Sequence, residues 1–104
     1  MKVFISQPMN GKTDEEILRE RDNTIKRIKS IIPEEIDVTI IDSFFGHGNA
    51  IPFDSNRPLW FLGKSLELLS TADAAYFCEG WDSARGCMIE HHCCLSYGID
   101  ILED

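Results

Sequence analysis

From residue 33 to its end, this sequence has little positive charge. Three basic side chains (Arg57, Lys64 and Arg85) stand against 13 acidic ones in that stretch, and the whole chain carries a formal net charge of −8. Because nucleic-acid backbones are bound by clustered lysine and arginine, polymeric nucleic acid is not an expected partner. A chain with this charge is more compatible with a small neutral or weakly anionic ligand than with a polyanion.

The sequence also lacks a long apolar run. Its start, MKVFIS, has one lysine followed by a short apolar stretch, without the longer apolar region and cleavage site of a leader peptide. No segment approaches the roughly 18 apolar residues that a membrane-spanning helix needs. We therefore expect a cytoplasmic protein with no membrane partner.

Cysteine is present but does not indicate a disulfide framework. There are four cysteines, and two of them, Cys93 and Cys94, are adjacent. Together with the missing leader, this favours reduced thiols. Buried thiols behave mostly as small hydrophobic side chains.

The composition predicts one globular domain covering residues 1–104. Hydrophobic residues make up 43% of the chain, which is ordinary for a folded protein and unlike the composition of disordered chains. Apolar runs and helical periodicity alternate along the sequence in the order β-α-β-α-β-α-β. The predicted strands are 2–6, 38–42, 74–78 and the IDIL segment near the end, and the predicted helices run from Thr13 to about Ile32, from Pro58 to Ser70 and from Ala84 to Tyr97.

Alternating elements with hydrophobic strands predict an α/β fold, a small flavodoxin-like (Rossmann-like) three-layer fold with a four-stranded parallel sheet. Ligands of such folds bind beyond the carboxyl ends of the strands. Three polar segments fall at this edge: 6–11, 42–45 and 79–85. Asp73 precedes its strand and lies at the opposite edge, so we expect a structural role for it, in capping or a turn.

The first two predicted helices differ in their apolar faces. Thr13 and Glu16 form a capping box at the start of the first, whose apolar positions recur at helical spacing: Ile17, Leu18, Ile25, Ile28 and Ile32. The second carries a stripe of Leu59, Leu62, Leu66 and Leu69, with Trp60, Phe61 and Leu68 outside it. One face should cover the sheet and the other is a candidate subunit contact, so we expect a homodimer or larger homo-oligomer.

Glu90 is the only acidic residue of the last predicted helix. It lies about 9 Å from the start of the helix, and helical side chains lean toward the N-terminus, so Glu90 is directed toward the carboxyl edge of the sheet. Cys87, Cys94 and Tyr97 share its side of the helix, which predicts a partly desolvated carboxylate with a raised pKa and increased nucleophilicity. The alternative is a Glu90 that faces solvent or pairs with a neighbour.

A metal site is a weaker interpretation of the same helix. Cys87, His91 and Cys94 share one side of it, but structural zinc sites usually recruit ligands from two segments. Catalysis by a cysteine with His91 or His92 lacks an orienting partner. We expect neither a metal nor another cofactor.

Two motifs carry a resemblance to a known family. SQPMNG (6–11) follows the first strand, and GWDSARG (80–86) is followed by three residues and then Glu90-His91. This pattern resembles the nucleoside 2-deoxyribosyltransferase superfamily, and most closely a short branch of bacterial and phage proteins. Relatives often carry serine where this chain has Ala84.

The resemblance implies chemistry on an N-glycosidic bond. In that superfamily a glutamate attacks the anomeric carbon of a deoxynucleoside, the base leaves protonated, and an acceptor base or water resolves the glycosyl enzyme. Glu90 matches this nucleophile, and Glu79 and Asp82 are candidates for protonating the base, with a plain turn role as the alternative for each.

The substrate-binding residues expected from this reading come from the three carboxyl-edge segments. Backbone amides of the first loop and of the last helix suit a sugar hydroxyl or a 5′-phosphate, and Arg85 suits phosphate unless it pairs with Asp82. The expected residues are Ser6, Gln7, Met9, Asn10, Gly11, Asp42, Gly80, Trp81, Ser83 and Arg85.

The sequence therefore predicts an N-glycosidic bond enzyme that acts on (deoxy)nucleosides or nucleotides by base exchange or hydrolysis. Two alternatives stay open: a non-catalytic nucleotide-binding or sensing domain, and a structural assembly protein built on the apolar second helix.

Overall fold

A computed structural model describes residues 1–43 and 54–103 of the chain. Its strands are β1 (Lys2–Ser6), β2 (Thr39–Ile40), β3 (Ala74–Phe77) and β4 (Asp100–Leu102); its helices are α1 (Asp14–Ile31), α2 (Arg57–Leu69) and α3 (Arg85–Tyr97), with a single 3₁₀ turn over Trp81–Ser83 before α3. The predicted order of elements is confirmed. Residues 44–53, which include Phe45 of the predicted carboxyl-edge segment 42–45, lie outside the described residues.

The four strands form one parallel sheet in the order β2-β1-β3-β4. The chain passes from β1 to β2 on one side and then crosses to β3 on the other, so the strand order reverses between β1 and β3. In open α/β sheets the ligand crevice lies at the carboxyl edge of such a reversal. The loops that follow β1 and β3 therefore flank the expected binding position.

The helices cover both faces of the sheet, which gives the predicted flavodoxin-like three-layer α/β fold. On one face, Val3 and Ile5 pack with Ile28 and Ile32 from α1 and its end. On the other face the strand residues pack against α2 and α3, in a cluster of Phe4, Ile41, Leu69, Ala75 and Cys94. Because side chains alternate along a strand, Ser6 lies on the same face as Phe4 and looks toward α2 and α3.

The termini of α1 and α3 follow local signals in the sequence. Thr13 and Glu16 form the predicted capping box at the start of α1. Gly98 ends α3 with φ 73° and ψ 32°, a left-handed conformation that glycine adopts without strain. Asp73 accepts a hydrogen bond from the backbone N–H of Lys2 at 2.7 Å, at the edge opposite to the carboxyl ends of the strands. Its role is structural, as expected, but this contact joins the starts of β1 and β3 and is neither a helix cap nor a local turn.

Two details of the predicted helix faces are wrong. Leu18 is 43% exposed on α1, and Leu59 at the start of α2 is 63% exposed, so neither belongs to the buried stripe of its helix. On α2 the buried end is the C-terminal one, where Leu69 is enclosed and Leu66 and Leu68 pack against it. No helix within residues 1–43 and 54–103 is long and apolar enough to cross a lipid bilayer.

Candidate functional site

Ser6 and Glu90 meet in the interior of the protein. The hydroxyl of Ser6 donates a hydrogen bond of 2.8 Å to Oε1 of Glu90. Both residues are almost completely enclosed, with 1% of Ser6 and 6% of Glu90 exposed. The contact joins the carboxyl end of β1 to the middle of α3 across 84 residues of sequence. Glu90 therefore lies inside the fold and does not face bulk solvent.

The buried side of α3 places Glu90 at this position. Cys87, Glu90 and Cys94 are the buried residues of the helix, and their spacing of three and four puts them on one side. Tyr97 was expected on that side as well, but 82% of it is exposed. It is the last residue of α3, directly before the Gly98 turn, so it lies past the part of the helix that the sheet covers.

Burial raises the pKa of Glu90 to about 7, because the ionised carboxylate is poorly solvated in this position, and the hydrogen bond from Ser6 acts in the opposite direction. The expectation of a desolvated carboxylate with a raised pKa is confirmed. A carboxyl group with this pKa is present in both forms near neutral pH. It can therefore act as a nucleophile or base, or hold a proton, according to small changes in its surroundings.

The two motif loops lie against each other beside this contact. Gly80 adopts φ 89°, and a β-carbon at this position would be 3.6 Å from Cγ of Pro8 in the first loop. The N–H of Trp81 donates to the carbonyl of Cys78 at 3.1 Å and closes the tight turn. Glycine is suited to this position because a side chain is strained at such a positive φ.

Gln7 is turned away from Glu90, toward α1. Its amide nitrogen donates to the carbonyl of Ile17 at 2.8 Å and to a carboxylate oxygen of Glu20 at 3.4 Å. Its Oε1 is buried and has no hydrogen-bond partner among the described residues. Gln7 thus ties the first loop to α1.

The other residues expected to bind substrate lie mainly at the surface of the carboxyl edge. Met9, Asn10 and Gly11 form an exposed turn closed by the N–H of Lys12 and the carbonyl of Met9 at 3.2 Å. Asp42 is exposed after β2, and Ser83 and Arg85 are exposed around the start of α3. Arg85 is the first residue of α3, as the predicted role in phosphate binding requires.

The two acids considered for protonating the base lie at different positions. Glu79 is exposed and lines a cleft of about 400 Å³ on the α1 face, together with α1 residues and Cys78. Asp82 is exposed in the turn that leads into α3. Within the described part of the chain, neither acid is hydrogen-bonded to Glu90, and Glu79 faces the side of the sheet opposite to it.

The three residues of the metal interpretation have other surroundings. Cys87 and Cys94 are buried thiols, and burial raises the pKa of each to about 11. His91 packs flat on Trp81. Among the residues that the structure describes, no group of three or more His, Cys, Asp or Glu side chains is arranged to hold a metal ion.

Arg21, which the sequence did not mark as a candidate, takes part in buried polar contacts. Arg21 is 7% exposed and donates to the carbonyl of Ile41 at 2.6 Å and to the hydroxyl of Ser43 at 3.3 Å. Its position four residues after Ile17 was the available signal for its burial. Cys87, considered from the sequence as a neighbour of Glu90 and as a metal ligand, is near the Ser6 hydroxyl, which lowers the pKa of the thiol against the larger effect of burial.

Comparisons with known proteins do not assign the chain to a family. The resemblance carried by the two motifs therefore stays a prediction. No family model, no curated protein and no solved structure matches this chain.

Proposed function

We propose that this protein is an enzyme that breaks the N-glycosidic bond of (deoxy)nucleosides or nucleotides, with Glu90 as nucleophile, and that it exchanges or hydrolyses the base. The observation that carries the proposal is the buried carboxyl group of Glu90, which has a pKa of about 7 and lies at the carboxyl edge of the sheet. It accepts a hydrogen bond from the hydroxyl of Ser6, the last residue of β1. Neither a solvated surface acid nor an ion pair has these properties.

The reaction would proceed in two displacements. A carboxylate oxygen of Glu90 attacks the anomeric carbon while the bond from that carbon to the base nitrogen breaks, and its electron pair leaves with the base, which takes up a proton. A water molecule or a second base then attacks the same carbon and releases the carboxylate. Retaining glycosidases use a carboxylate in the same way against an oxocarbenium-like centre.

We assign the protonation of the leaving base to Asp82 before Glu79. Asp82 lies in the turn directly before the helix that carries Glu90, whereas Glu79 lines the cleft on the α1 face. Asp82→Asn should therefore slow base release more strongly than Glu79→Gln. A reversed effect would give the role to Glu79, and equal effects would mean that neither acid has the role in preference to the other.

The test is an assay for released or exchanged base. The purified protein is incubated with deoxynucleosides and with deoxynucleoside 5′-monophosphates, with and without an acceptor base, and the bases are separated by chromatography. We expect free or exchanged base with the native protein and none with Glu90→Gln. The matched control is Glu103→Gln, an exposed carboxyl group near the end of the chain, which should leave the rate unchanged.

Two outcomes would reject the proposal. Base release that persists in Glu90→Gln would rule out the nucleophile. A protein that binds a deoxynucleotide without releasing its base would instead be a binding or sensing domain. Arg85→Gln separates the substrates, because it should weaken turnover of the 5′-monophosphate more than that of the nucleoside.

The same proposal includes self-association and a cytoplasmic role in nucleotide metabolism. Leu69 is the only buried residue of α2 within the described structure, although the helix also carries Trp60, Phe61 and the largely exposed Leu59. An apolar surface of this kind favours a contact with another copy of the chain. We expect a dimer or larger species by light scattering, and its dissociation in Leu59→Glu. A monomeric native protein would remove this part of the proposal.

A further inference from the structure

The reactive carboxyl group of Glu90 has two oxygens in different surroundings. Oε1 accepts the 2.8 Å hydrogen bond from Ser6. Within residues 1–43 and 54–103, no group donates a hydrogen bond to Oε2. An oxygen whose lone pair is engaged by a buried donor is a weaker nucleophile than one without a donor, so the two oxygens are not equivalent.

The Ser6 hydroxyl has a single proton, and its surroundings decide where that proton points. The thiol of Cys87 lies one turn before Glu90 on the buried side of α3. Burial raises the pKa of Cys87 to about 11, so near neutral pH this residue is a thiol that carries its own proton. The sulfur of a thiol is only a weak hydrogen-bond acceptor, so the Glu90 carboxylate competes more strongly for the Ser6 proton.

We propose that Ser6 is the positioning residue of Glu90: its hydroxyl holds Oε1 and thereby presents Oε2 as the oxygen that attacks the anomeric carbon. This inference rests on the proposed function and changes the role of Ser6. The sequence predicts that Ser6 binds substrate, whereas in this proposal its hydroxyl is committed to the nucleophile.

Ser6 is the main polar contact of Glu90 among the groups that surround it. From its own helix, Glu90 is faced by the thiols of Cys87 and Cys94. From β1 it is faced by Ser6. From α2, the side chain of Leu62 approaches the start of α3, with its Cδ1 atom next to Gly86. Within the described structure, no lysine or arginine forms an ion pair with Glu90 or alters its pKa. The Ser6 hydroxyl is therefore the group that stabilises the ionised form.

The experiment measures the ionisation of Glu90 directly and does not depend on activity. Protein labelled with ¹³C at the glutamate carboxyl carbon is titrated by NMR, and the Glu90 signal is assigned by its loss in Glu90→Gln. In Ser6→Ala we expect the pKa of Glu90 to rise by about one unit, a tenfold change in its ionisation ratio. Ser6→Cys offers a weaker donor of similar size and should give a smaller rise.

A matched control comes from a second buried serine. Ser43 is 5% exposed and contacts Arg21 and the carbonyl of Ile5, not Glu90. Ser43→Ala should leave the pKa of Glu90 where it is. If Ser6→Ala does not fold, Ser6→Cys carries the comparison alone. An unchanged Glu90 pKa in a folded Ser6 variant overturns the inference.

The activity assay then separates positioning from substrate binding. A positioning role predicts that Ser6→Ala lowers kcat, moves the rising limb of the pH–rate profile to higher pH, and leaves KM nearly unchanged. A higher KM with an unmoved pH profile would mean that Ser6 binds substrate, and the inference would be wrong. If the pKa shifts as expected but no variant and no native protein releases base, the contact between Ser6 and Glu90 stands and the proposed function falls.

Discussion

The imidazole ring of His91 lies flat against the indole of Trp81, with the ring centroids 4.0 Å apart and the planes inclined by 10°. Phe77, the last residue of β3, meets both rings edge-on, at 5.7 Å from Trp81 and 4.8 Å from His91. The end of β3, the turn after it and α3 are thus joined by one aromatic cluster. His91 follows Glu90 directly, so the cluster also fixes the part of α3 that carries the carboxyl group.

We expect His91→Ala to lower the free energy of unfolding by about 1 kcal/mol, since packed aromatic pairs contribute roughly 0.5–1.5 kcal/mol beyond the area they bury. His91→Phe keeps a ring on the indole and should lose less. Urea unfolding followed by tryptophan fluorescence measures both. The control is His92→Ala, an exposed neighbour whose removal should matter little. Equal losses of unfolding free energy in His91→Ala and His92→Ala would mean that the stack of His91 on Trp81 does not stabilise the protein.

The pKa of Glu90 predicts a stability that falls as the pH rises. Burial raises this pKa from 4.5 to about 7, so the folded protein binds a proton at Glu90 that the unfolded chain has released. The stabilising contribution is complete below about pH 4.5 and is lost progressively up to about pH 7, by an amount on the order of 3 kcal/mol. Glu90→Gln cannot ionise and should avoid this loss.

The measurement is the difference in unfolding free energy between Glu90→Gln and the native protein from pH 5 to pH 8. We expect this difference to shift in favour of the variant as the pH rises and to level off above pH 7. Taking the difference removes the contributions of all other titrating groups. Glu103→Gln, at an exposed carboxyl group, should follow the native protein at every pH. A Glu90→Gln curve parallel to the native one would show that the carboxyl group is not desolvated.

The order of the elements was predictable because each element carries its own local signal. The capping box at Thr13 and Glu16, the glycine at 98 and the apolar runs of β1 and β3 act over a few residues. The predicted second strand, 38–42, is longer than the observed β2 because its pairing with β1 is confined to two residue pairs at the sheet edge. A hydrogen bond from Ile41 to Val3 at 2.9 Å nevertheless continues along the same edge.

The contacts of the site were less predictable because they join distant parts of the chain. Periodicity placed Glu90 on the buried side of its helix and Ser6 at the carboxyl edge, but it could not select the partner of either residue. The side chain of Gln7 is directed toward α1 because its amide donates to the carbonyl of Ile17 and to Glu20. The alternation of residues along a strand gives no information about such partners. The exposure of Leu59 was also not predictable, because an apolar stripe on a helix does not indicate how much of that stripe a neighbouring element covers.

Ala84 offers a test of helix capping at the second motif. It occupies the N-cap of α3 with φ −106° and ψ 120°, the extended geometry of a cap, but its side chain makes no capping hydrogen bond. Ala84→Ser supplies an oxygen that can accept from an unpaired N–H of the first turn, and should stabilise the protein by about 1 kcal/mol. Ala84→Val has no acceptor and should give no gain in thermal unfolding. A gain with both residues would point to burial as the cause, not to capping.

Two arginines of α1, Arg21 and Arg19, should contribute differently to stability, because Arg21 is buried and Arg19 is exposed. The hydrogen bonds of Arg21 hold the carbonyl of Ile41 and the hydroxyl of Ser43, and so connect α1 to the segment after β2. Arg21→Met keeps the length of the side chain but leaves a buried carbonyl unpaired, which should cost about 1–3 kcal/mol. Arg21→Lys retains one donor and should recover part of this loss.

Arg19 on the same helix provides the control for that experiment. Its ion pair with Glu15 spans 3.2 Å, but 67% of the Arg19 side chain is exposed, and exposed pairs contribute little to stability. Arg19→Met should therefore change the unfolding free energy by less than about 0.5 kcal/mol. If Arg21→Met is as mild as Arg19→Met in urea unfolding, the carbonyl of Ile41 must find another donor, and Arg21 does not tie α1 to the edge of the sheet. If instead the loss at Arg21 is large and lysine restores part of it, hydrogen bonding by the guanidinium, and not its packing, stabilises this edge.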